Sequence, residues 1–318
     1  MTVRVVLQSR LSSARLPAKA MLTVAGMPAV VLAALRAART GLDVVVATSD
    51  HAEDDLVAEA ASRAGIASVR GSLEDPLARF AQATQDLGPS DVVVRLTADN
   101  VIPDGSFAQL LADAVSAAKP YVRAGGDLES GLPYGVAGEA FLVRDLRLAD
   151  AIATAPFDRE HVTPWIRANR GDTRLLIDAS PPSWQGLRCT IDTFDDYVRV
   201  ADLFRSVKDP VRVPWQDLAN LLAAQQGHGL EPLSRVARPS GKAQSRLILG
   251  TAQLGMRYGA ANGHGLPSSG AAREILVAAS RAGISHVDTA RAYGLSENRI
   301  GDAFQRGLSE HLSVVTKL

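Results

Sequence analysis

Three runs of β-branched residues, VRVVLQ (3–8), DVVVAT (43–48) and DVVVRLT (91–97), constrain the fold of this chain more than any other feature. Each is followed by a segment with helical apolar spacing, around 27–39, 52–64 and 105–118. Short buried strands separated by amphipathic helices predict parallel strands joined by right-handed crossovers. The runs are apolar almost throughout rather than alternating, so both faces of the sheet are expected to be covered. The fold class that follows is α/β, a doubly wound and mostly parallel sheet. Such folds bind ligands at the carboxyl ends of their strands.

The first strand runs straight into the loop RLSSARLPAK (10–19), which carries Arg10, Ser12, Ser13, Arg15 and Lys19 and no carboxylate. Backbone N–H groups, hydroxyls and cations gathered at a strand end suit a triphosphate. On spacing alone, a basic surface loop is an equally good reading. A triphosphate loop acts with a divalent metal, and a hard cation such as Mg²⁺ takes oxygen ligands. Asp99 in RLTADN and Asp192 in CTIDTFDDY each follow a strand and are the expected metal pair. Asp99 also suits the N-cap of the next helix. Asp195 and Asp196 are expected in the first turn of the following helix, where their charge complements the dipole. Cys189 is the only cysteine, which excludes an internal disulfide, and it reads as a small core residue.

Between 120 and 170 the chain changes character, with Gly125, Gly126, Gly131, Gly135 and Gly138 close together. An excursion from the sheet is expected there: loops or a small antiparallel flap, then helices near 144–153 and 159–169. Strands near 173–178 and 187–191 and helices near 194–206 and 214–225 complete a first domain, 1–225. The stretch 226–245 is rich in Gly, Pro and Ser without periodicity and reads as a linker. Beyond it, strand-like runs at 246–251, 285–289 and 313–318 alternate with helical patterns at 269–282 and 296–306. That order opens a (β/α) barrel or a further sheet. A whole barrel takes about 250 residues, so the domain over 246–318 is expected to be incomplete.

A net charge of zero gives no reason to expect nucleic acid or an anionic membrane as a partner. No run approaches the ~18 apolar residues of a membrane span, and the first residues lack a signal core, so a cytoplasmic protein is expected.

Residues 3–19 resemble the nucleotide-binding signature of cytidylyltransferases of the spore-coat polysaccharide type, relatives of the enzymes that activate 3-deoxy-manno-octulosonate and sialic acids. That pattern runs approximately Q-A-R-M-x-S-S-R-L-P-G-K, and Gln8, Arg10, Arg15, Leu16, Pro17 and Lys19 match it. VVVATSD (44–50), VRGSLEDPLARF (69–80), RLTADN (95–100), LPYGVAGEAF (132–141), REHVTPWIR (159–167) and TIDTFDD (190–196) follow in the family's order. The resemblance spans about 1–225. Ser9, Ala14, Ala18 and Ala98 depart from it, the last two where the family has glycine, a residue often chosen where backbone approaches phosphate.

The resemblance implies a Rossmann-like nucleotide-diphospho-sugar transferase fold. It also implies attack of a sugar hydroxyl or acid-sugar oxygen on the α-phosphorus of CTP, giving a CMP-sugar and pyrophosphate for polysaccharide or glycan synthesis. Arg10 and Lys19 would hold the β- and γ-phosphates, Arg15 would close the loop, and Asp99 and Asp192 would carry Mg²⁺. Gln8, Ser12, Ser13, Ser49, Arg70 and Arg95 would complete the nucleotide site. Thr48, Ser49 and Asp50 either read the base edge or cap the run beginning at His51. Arg70, Ser72, Asp75 and Arg79 form a polar block for base, ribose or substrate, while Asp75 and Arg79 are also an ordinary i,i+4 pair. Glu139, Arg159, Glu160 and His161 would face an acidic sugar. His161 would either assist deprotonation or serve the structure or a dimer interface. Family analogy implies a homodimer.

LILGTAQLGMRYG (247–259) and HVDTARAYGLSENRIG (286–301) resemble the start of an aldo/keto reductase. Asp288, Tyr293 and Lys317 match three positions of that family's tetrad, with Tyr293 as proton donor and its pKa lowered by Lys317. The family's histidine and the segment gripping the phosphate of NADP are expected beyond residue 318, so NADP-dependent activity is not expected of this chain. Two alternatives stay open: a reductase-centred fusion whose first domain only binds nucleotide or regulates, and a non-catalytic scaffold.

Overall fold

The three β-branched runs lie side by side in the middle of a seven-stranded sheet in the computed structural model of this protein. The structure describes the chain apart from residues 14, 126–129, 178–180, 182, 183, 185, 228–234, 238–242, 246, 259–264, 282, 283, 306, 307, 309–311 and 318. The expectations for Ala14, Gly126 and much of 226–245 fall on residues outside this set. The chain divides into two units, Met1–Gln225 and Gln226–Leu318.

In the first unit, β1 (Val3–Gln8), α1 (Ala29–Ala38), β2 (Asp43–Ser49), α2 (Asp55–Arg63) and β4 (Val92–Thr97) follow the predicted alternation, and β3 (Ala67–Gly71) and α3 (Pro76–Gln82) add a strand and a helix that the apolar spacing did not single out. The four strands are parallel in the spatial order β3-β2-β1-β4. Gln8 at the end of β1 stands in register with Ala47 on one side and Thr97 on the other. Val5 and Leu7 pack into the core on one face, and Val6 into the core on the other. Both faces are covered, which is why the middles of these strands are apolar on both faces.

The region read as an excursion instead extends this sheet. After α4 (Gly105–Ala114), β5 (Tyr121–Ala124) and β6 (Gly138–Leu142) continue the order as β4-β6-β5, with β6 antiparallel to both neighbours. The helices that follow are α5 (Val143–Ile152), α6 (Pro156–His161) and α7 (Pro164–Arg170). One helix was expected over 159–169. Two form because Val162 adopts φ 69° and Pro164 takes the first position of α7, where its missing N–H costs nothing. β7 (Thr173–Arg174) pairs with β5 over two residues only. The strand expected at 187–191 is reduced to a single bridge between Tyr134 and Arg188. α8 (Phe194–Arg205) and α9 (Trp215–Gly227) return to the face holding α1, α2 and α4, where Phe107, Trp184 and Trp215 meet with ring centroids 5.5 Å apart.

In the second unit, β8 (Arg235–Ala237) and β9 (Ala243–Ser245) form an antiparallel pair inside the stretch read as a linker. β10 (Leu249–Gly250), α10 (Ala252–Gly255), α11 (Ser269–Arg281), β11 (His286–Asp288), α12 (Ser296–Gln305) and β12 (Ser313–Val315) follow. The strands β10, β11 and β12 make a parallel three-stranded sheet in sequence order. Among the described residues, no helix is long and apolar enough to cross a membrane.

Candidate active site

Strand ends assemble the site, and its centre is the side chain of Lys19. The loop after β1 is anchored by Leu11 N–H donating to Asp54 Oδ1 at 2.7 Å and Ala18 N–H donating to Leu11 O at 3.1 Å. Ala18 then turns left-handed (φ 56°, ψ 23°) and launches a short 3₁₀ turn, Lys19–Met21. This is one of the two positions where the family pattern has glycine, and the backbone explains it: φ near +60° strains any residue with a Cβ. Lys19 is thereby aimed at two carboxylates, donating to Asp99 Oδ2 at 2.6 Å and to Asp192 Oδ1 at 3.0 Å.

The two aspartates are held side by side by backbone. Asp99 follows β4, and its carbonyl accepts from Ile191 N–H at 2.9 Å, immediately before Asp192. The N-cap reading of Asp99 does not apply. Asp104 caps α4, accepting from the N–H groups of Ser106 and Phe107, and leaves Asp99 to Lys19. Asp192 is 5% exposed, and burial opposes its ionisation. Lys19, Arg15 (2.9 Å) and Arg188 (3.0 Å) outweigh that penalty and hold its pKa below the usual carboxylate value. Asp196 does sit in the first turn of α8, where it completes a capping box with Thr193. Beyond that reading, it also grips Arg188 at 2.8 and 3.0 Å. Arg188 is a site residue that no motif signalled.

The remaining predicted residues fall into two groups. Arg10, Ser12 and Arg15 are exposed on the loop, Arg10 within 4.0 Å of Glu160. Ser13 is half-buried, its hydroxyl 3.5 Å from Leu16 N–H. Glu160 and His161 are exposed at the end of α6, His161 edge-on to Phe157 with centroids 4.5 Å apart. The others are committed within the protein. Arg95 donates to Gln8 Oε1 at 3.0 and 3.2 Å and to Glu139. Glu139 also accepts from Tyr121 OH at 2.6 Å and Thr163 Oγ1 at 2.7 Å. Burial opposes its charge, but Arg95 and the two hydroxyls keep its pKa below the ordinary value. Burial and the charge of Glu139 push Tyr121 upward.

Ser49 is fully buried, its N–H and hydroxyl both given to Asp54 Oδ2, and Thr48 is fully buried beside it. Asp54 thus ties the end of β2 to the loop after β1, a role the sequence did not signal because it stands among several acids. Arg70 donates to the carbonyls of Ser49 (3.0 Å) and His51 (2.9 Å). Asp75 caps α3 and pairs with Arg159 at 2.5 Å, so the expected Asp75–Arg79 pair does not form. Cys189 is buried as expected, and burial pushes its thiol up to about 12. In the second unit, Lys317 lies 2.5 Å from Asp288 and 5.4 Å from the centre of the Tyr293 ring. Hydrogen bonding to Asp288 raises the pKa of Lys317.

Comparison with known proteins finds matches for both parts of the chain. The cytidylyltransferase family matches residues 4–228, and the aldo/keto reductase family matches residues 246–318. The spore coat polysaccharide biosynthesis protein SpsF of Bacillus subtilis is 28% identical over 230 residues, 68% of this chain and 92% of that protein. The 3-deoxy-manno-octulosonate cytidylyltransferase of Herminiimonas arsenicoxydans is 31% identical over 126 residues, 39% of this chain and half of that protein. A cytidylyltransferase structure from Leptospira borgpetersenii shares the fold with a TM-score of 0.64 at 23% identity, covering 71% of this chain and 96% of that one. With a matching family that spans the sheet, the Lys19 loop and both aspartates, this chain belongs to the cytidylyltransferases and is a nucleotidyltransferase.

Proposed function

We propose that residues 1–225 transfer CMP from CTP to an acidic sugar, releasing pyrophosphate, in the synthesis of a polysaccharide or glycan. The observation that carries this reading is Lys19 set between Asp99 and Asp192, with Arg15 and Arg10 on the same loop. In the reaction an oxygen of the acceptor bonds to the α-phosphorus while the bond from that phosphorus to the bridging oxygen breaks. The acceptor's proton passes to solvent or a nearby base. Lys19, Arg10 and Arg15 stabilise the charge growing on the departing pyrophosphate, so the catalytic contribution is positioning and electrostatics. SpsF and the octulosonate enzyme, by their names, support a sugar acceptor for polysaccharide. Glu160, beside Arg10, and His161 are exposed where an acceptor can meet them, while Glu139 and Arg159 hold their supports in place.

Asp99 and Asp192 suit Mg²⁺: two hard carboxylates converge on one cationic atom, Lys19 Nζ. Among the described residues no third acidic, histidine or cysteine ligand joins them, so phosphate oxygens and water would fill the remaining positions. When bound, the ion neutralises charge on the phosphates.

Incubating the full chain with CTP, Mg²⁺ and a panel of acidic sugars tests the reading through pyrophosphate release. Lys19→Ala and Asp99→Ala should each abolish it while leaving the fold intact. Near-normal release by either variant would sink the assignment. One observation favours a second reading for 246–318, the grouping of Asp288, Lys317 and Tyr293 as a reductase-type proton donor. Quenching of NADPH fluorescence by the chain would support it, and unchanged fluorescence would set it aside.

A further inference from the structure

Lys19 Nζ lies between two carboxylates, 2.6 Å from Asp99 Oδ2 and 3.0 Å from Asp192 Oδ1. The chain thus puts its own ammonium at the point where a divalent ion shared by the two would sit. Lysine and metal exclude one another there, because two cations in one half-buried place repel strongly. Asp192 is buried and the Lys19 side chain is 14% exposed, so water screens them little.

The charges around the pair act in the same direction. Asp192 also meets Arg15 at 2.9 Å and Arg188 at 3.0 Å, while Asp196 meets Arg188 at 2.8 Å and Arg199 at 3.2 Å. Among the described residues, the carboxylates Asp99, Asp192 and Asp196 are therefore outnumbered by Lys19, Arg15, Arg188 and Arg199. A cluster already neutralised in this way offers a divalent ion little attraction. Mg²⁺ also dehydrates reluctantly, and it is usually bound by one or two carboxylates together with substrate phosphates. Once Lys19 and Arg15 are drawn off, the carboxylates outnumber the remaining arginines and the balance changes sign.

These two cations are the ones able to leave. Bonds at Leu11 and Ala18 fix the loop backbone, but the ammonium ends a flexible four-carbon stem. Two of its three donors go to Asp99 and Asp192, which leaves a third for an incoming oxygen. The Arg15 side chain is 66% exposed and can turn to the same anion. Arg188 is held in place by both oxygens of Asp196 and by the Tyr134 ring, whose centre lies 4.8 Å from its guanidinium carbon. A polyphosphate would remove the mobile cations and leave the fixed one behind.

Resting on the reading that this chain uses CTP with Mg²⁺, we propose that Lys19 is a resident cation that closes Asp99 and Asp192 to metal until a triphosphate draws it away. The carboxylates then take a divalent ion with the nucleotide or after it, never ahead of it. Mn²⁺ shares the octahedral oxygen preference of Mg²⁺ and is visible by EPR, so it is the probe. Added to the full chain without nucleotide, it should keep its free-ion signal. Lys19→Met keeps the stem and removes the charge, and it should bind one Mn²⁺ per chain at least about tenfold more tightly than the unaltered protein. Adding Asp99→Asn to Lys19→Met should cancel the gain. Arg10→Met removes a cation of the same loop that does not lie between the carboxylates, and it should leave Mn²⁺ free. Should Lys19→Met fail to fold, calorimetry of the unaltered chain answers: CTP should bind in EDTA, because Lys19 and not a metal receives it first. Mn²⁺ binding by the nucleotide-free unaltered chain that Asp99→Asn removes overturns the proposal. So does a folded Lys19→Met that gains no Mn²⁺, or CTP that binds only when metal is present. Pyrophosphate release by the unaltered chain would keep the transfer reading standing in each of those cases. Failure to bind CTP with or without metal overturns that reading, and this one with it.

Discussion

Glu139→Gln isolates the buried carboxylate that joins β6 to the centre of the sheet. Glu139 is 16% and Arg95 19% exposed at the side chain, and the glutamate also accepts from Tyr121 OH and Thr163 Oγ1. Glutamine matches the shape but removes the charge and one acceptor oxygen. If its carbonyl stays with the two hydroxyls, its amide N–H₂ faces the Arg95 fork. If it turns round, the hydroxyls lose their shared acceptor. Either way one charge-assisted hydrogen bond is lost, worth about 1.5–3 kcal/mol, and Arg95 keeps only Gln8 as a neutral partner. Water reaches the partly exposed pair, so the cost should stay below the 3–5 kcal/mol of a fully buried broken pair, at about 2–3 kcal/mol. For a domain of this size that lowers Tm by about 4–12 °C. Tryptophan fluorescence in urea is the assay, because Trp165, Trp184 and Trp215 all lie in the first unit and report on it alone. The pH dependence gives a second handle. The folded pKa of Glu139 lies below the ordinary 4.5, so its stabilisation is present above that value and is lost as pH falls through the folded pKa. The gap between the two proteins should close on acidification. A cost under about 0.5 kcal/mol at neutral pH, or a gap that persists in acid, would refute the reasoning.

Other outcomes follow from the same geometry. Ala18→Gly relieves a left-handed backbone and should raise the stability of the first unit by about 0.5–1 kcal/mol in the same urea assay; a loss would contradict the strain. Cys189 should ignore an aromatic disulfide reagent in the native protein and react fully in guanidinium chloride; rapid native reaction would show that the core at Gly135 and Thr190 opens readily. Burial works against the charge of Asp196, but Arg188 holds its pKa at about 2. Its stabilisation, on the order of 2 kcal/mol, should be complete above pH 3.8 and disappear as pH falls through about 2, which Asp196→Asn would mimic at neutral pH.

The central strands were legible because burial on both faces writes itself as short runs dense in Val and Leu. β5 and β6 were not, since YVRA and GEAFL set Arg123 and Glu139 among apolar residues and glycines crowd the chain between them. Their pairing is a long-range decision that no local pattern records. Asp99 was legible as a strand-end acid, whereas the strand expected before Asp192 is a single bridge; and two acids five residues apart, Asp99 and Asp104, compete for one helix cap, and only the fold decides between them. Arg79 read both as part of a polar block for base, ribose or substrate and as half of a helical pair, because spacing says nothing of burial. The partner was taken by Arg159, 84 residues away.

Lys19 has a kinetic consequence. The Lys19 ammonium and the neighbouring Arg15 guanidinium are already matched by carboxylates, so these two cations project little positive field into solvent. A triphosphate bound at Lys19, as proposed, would exchange partners instead of gaining them. Capture should therefore owe little to long-range steering and vary only gently with ionic strength. On the proposed reading the same arrangement would hasten departure: as pyrophosphate loosened, Asp99 and Asp192 would take Lys19 back, and the loop would reset without waiting for solvent to do it.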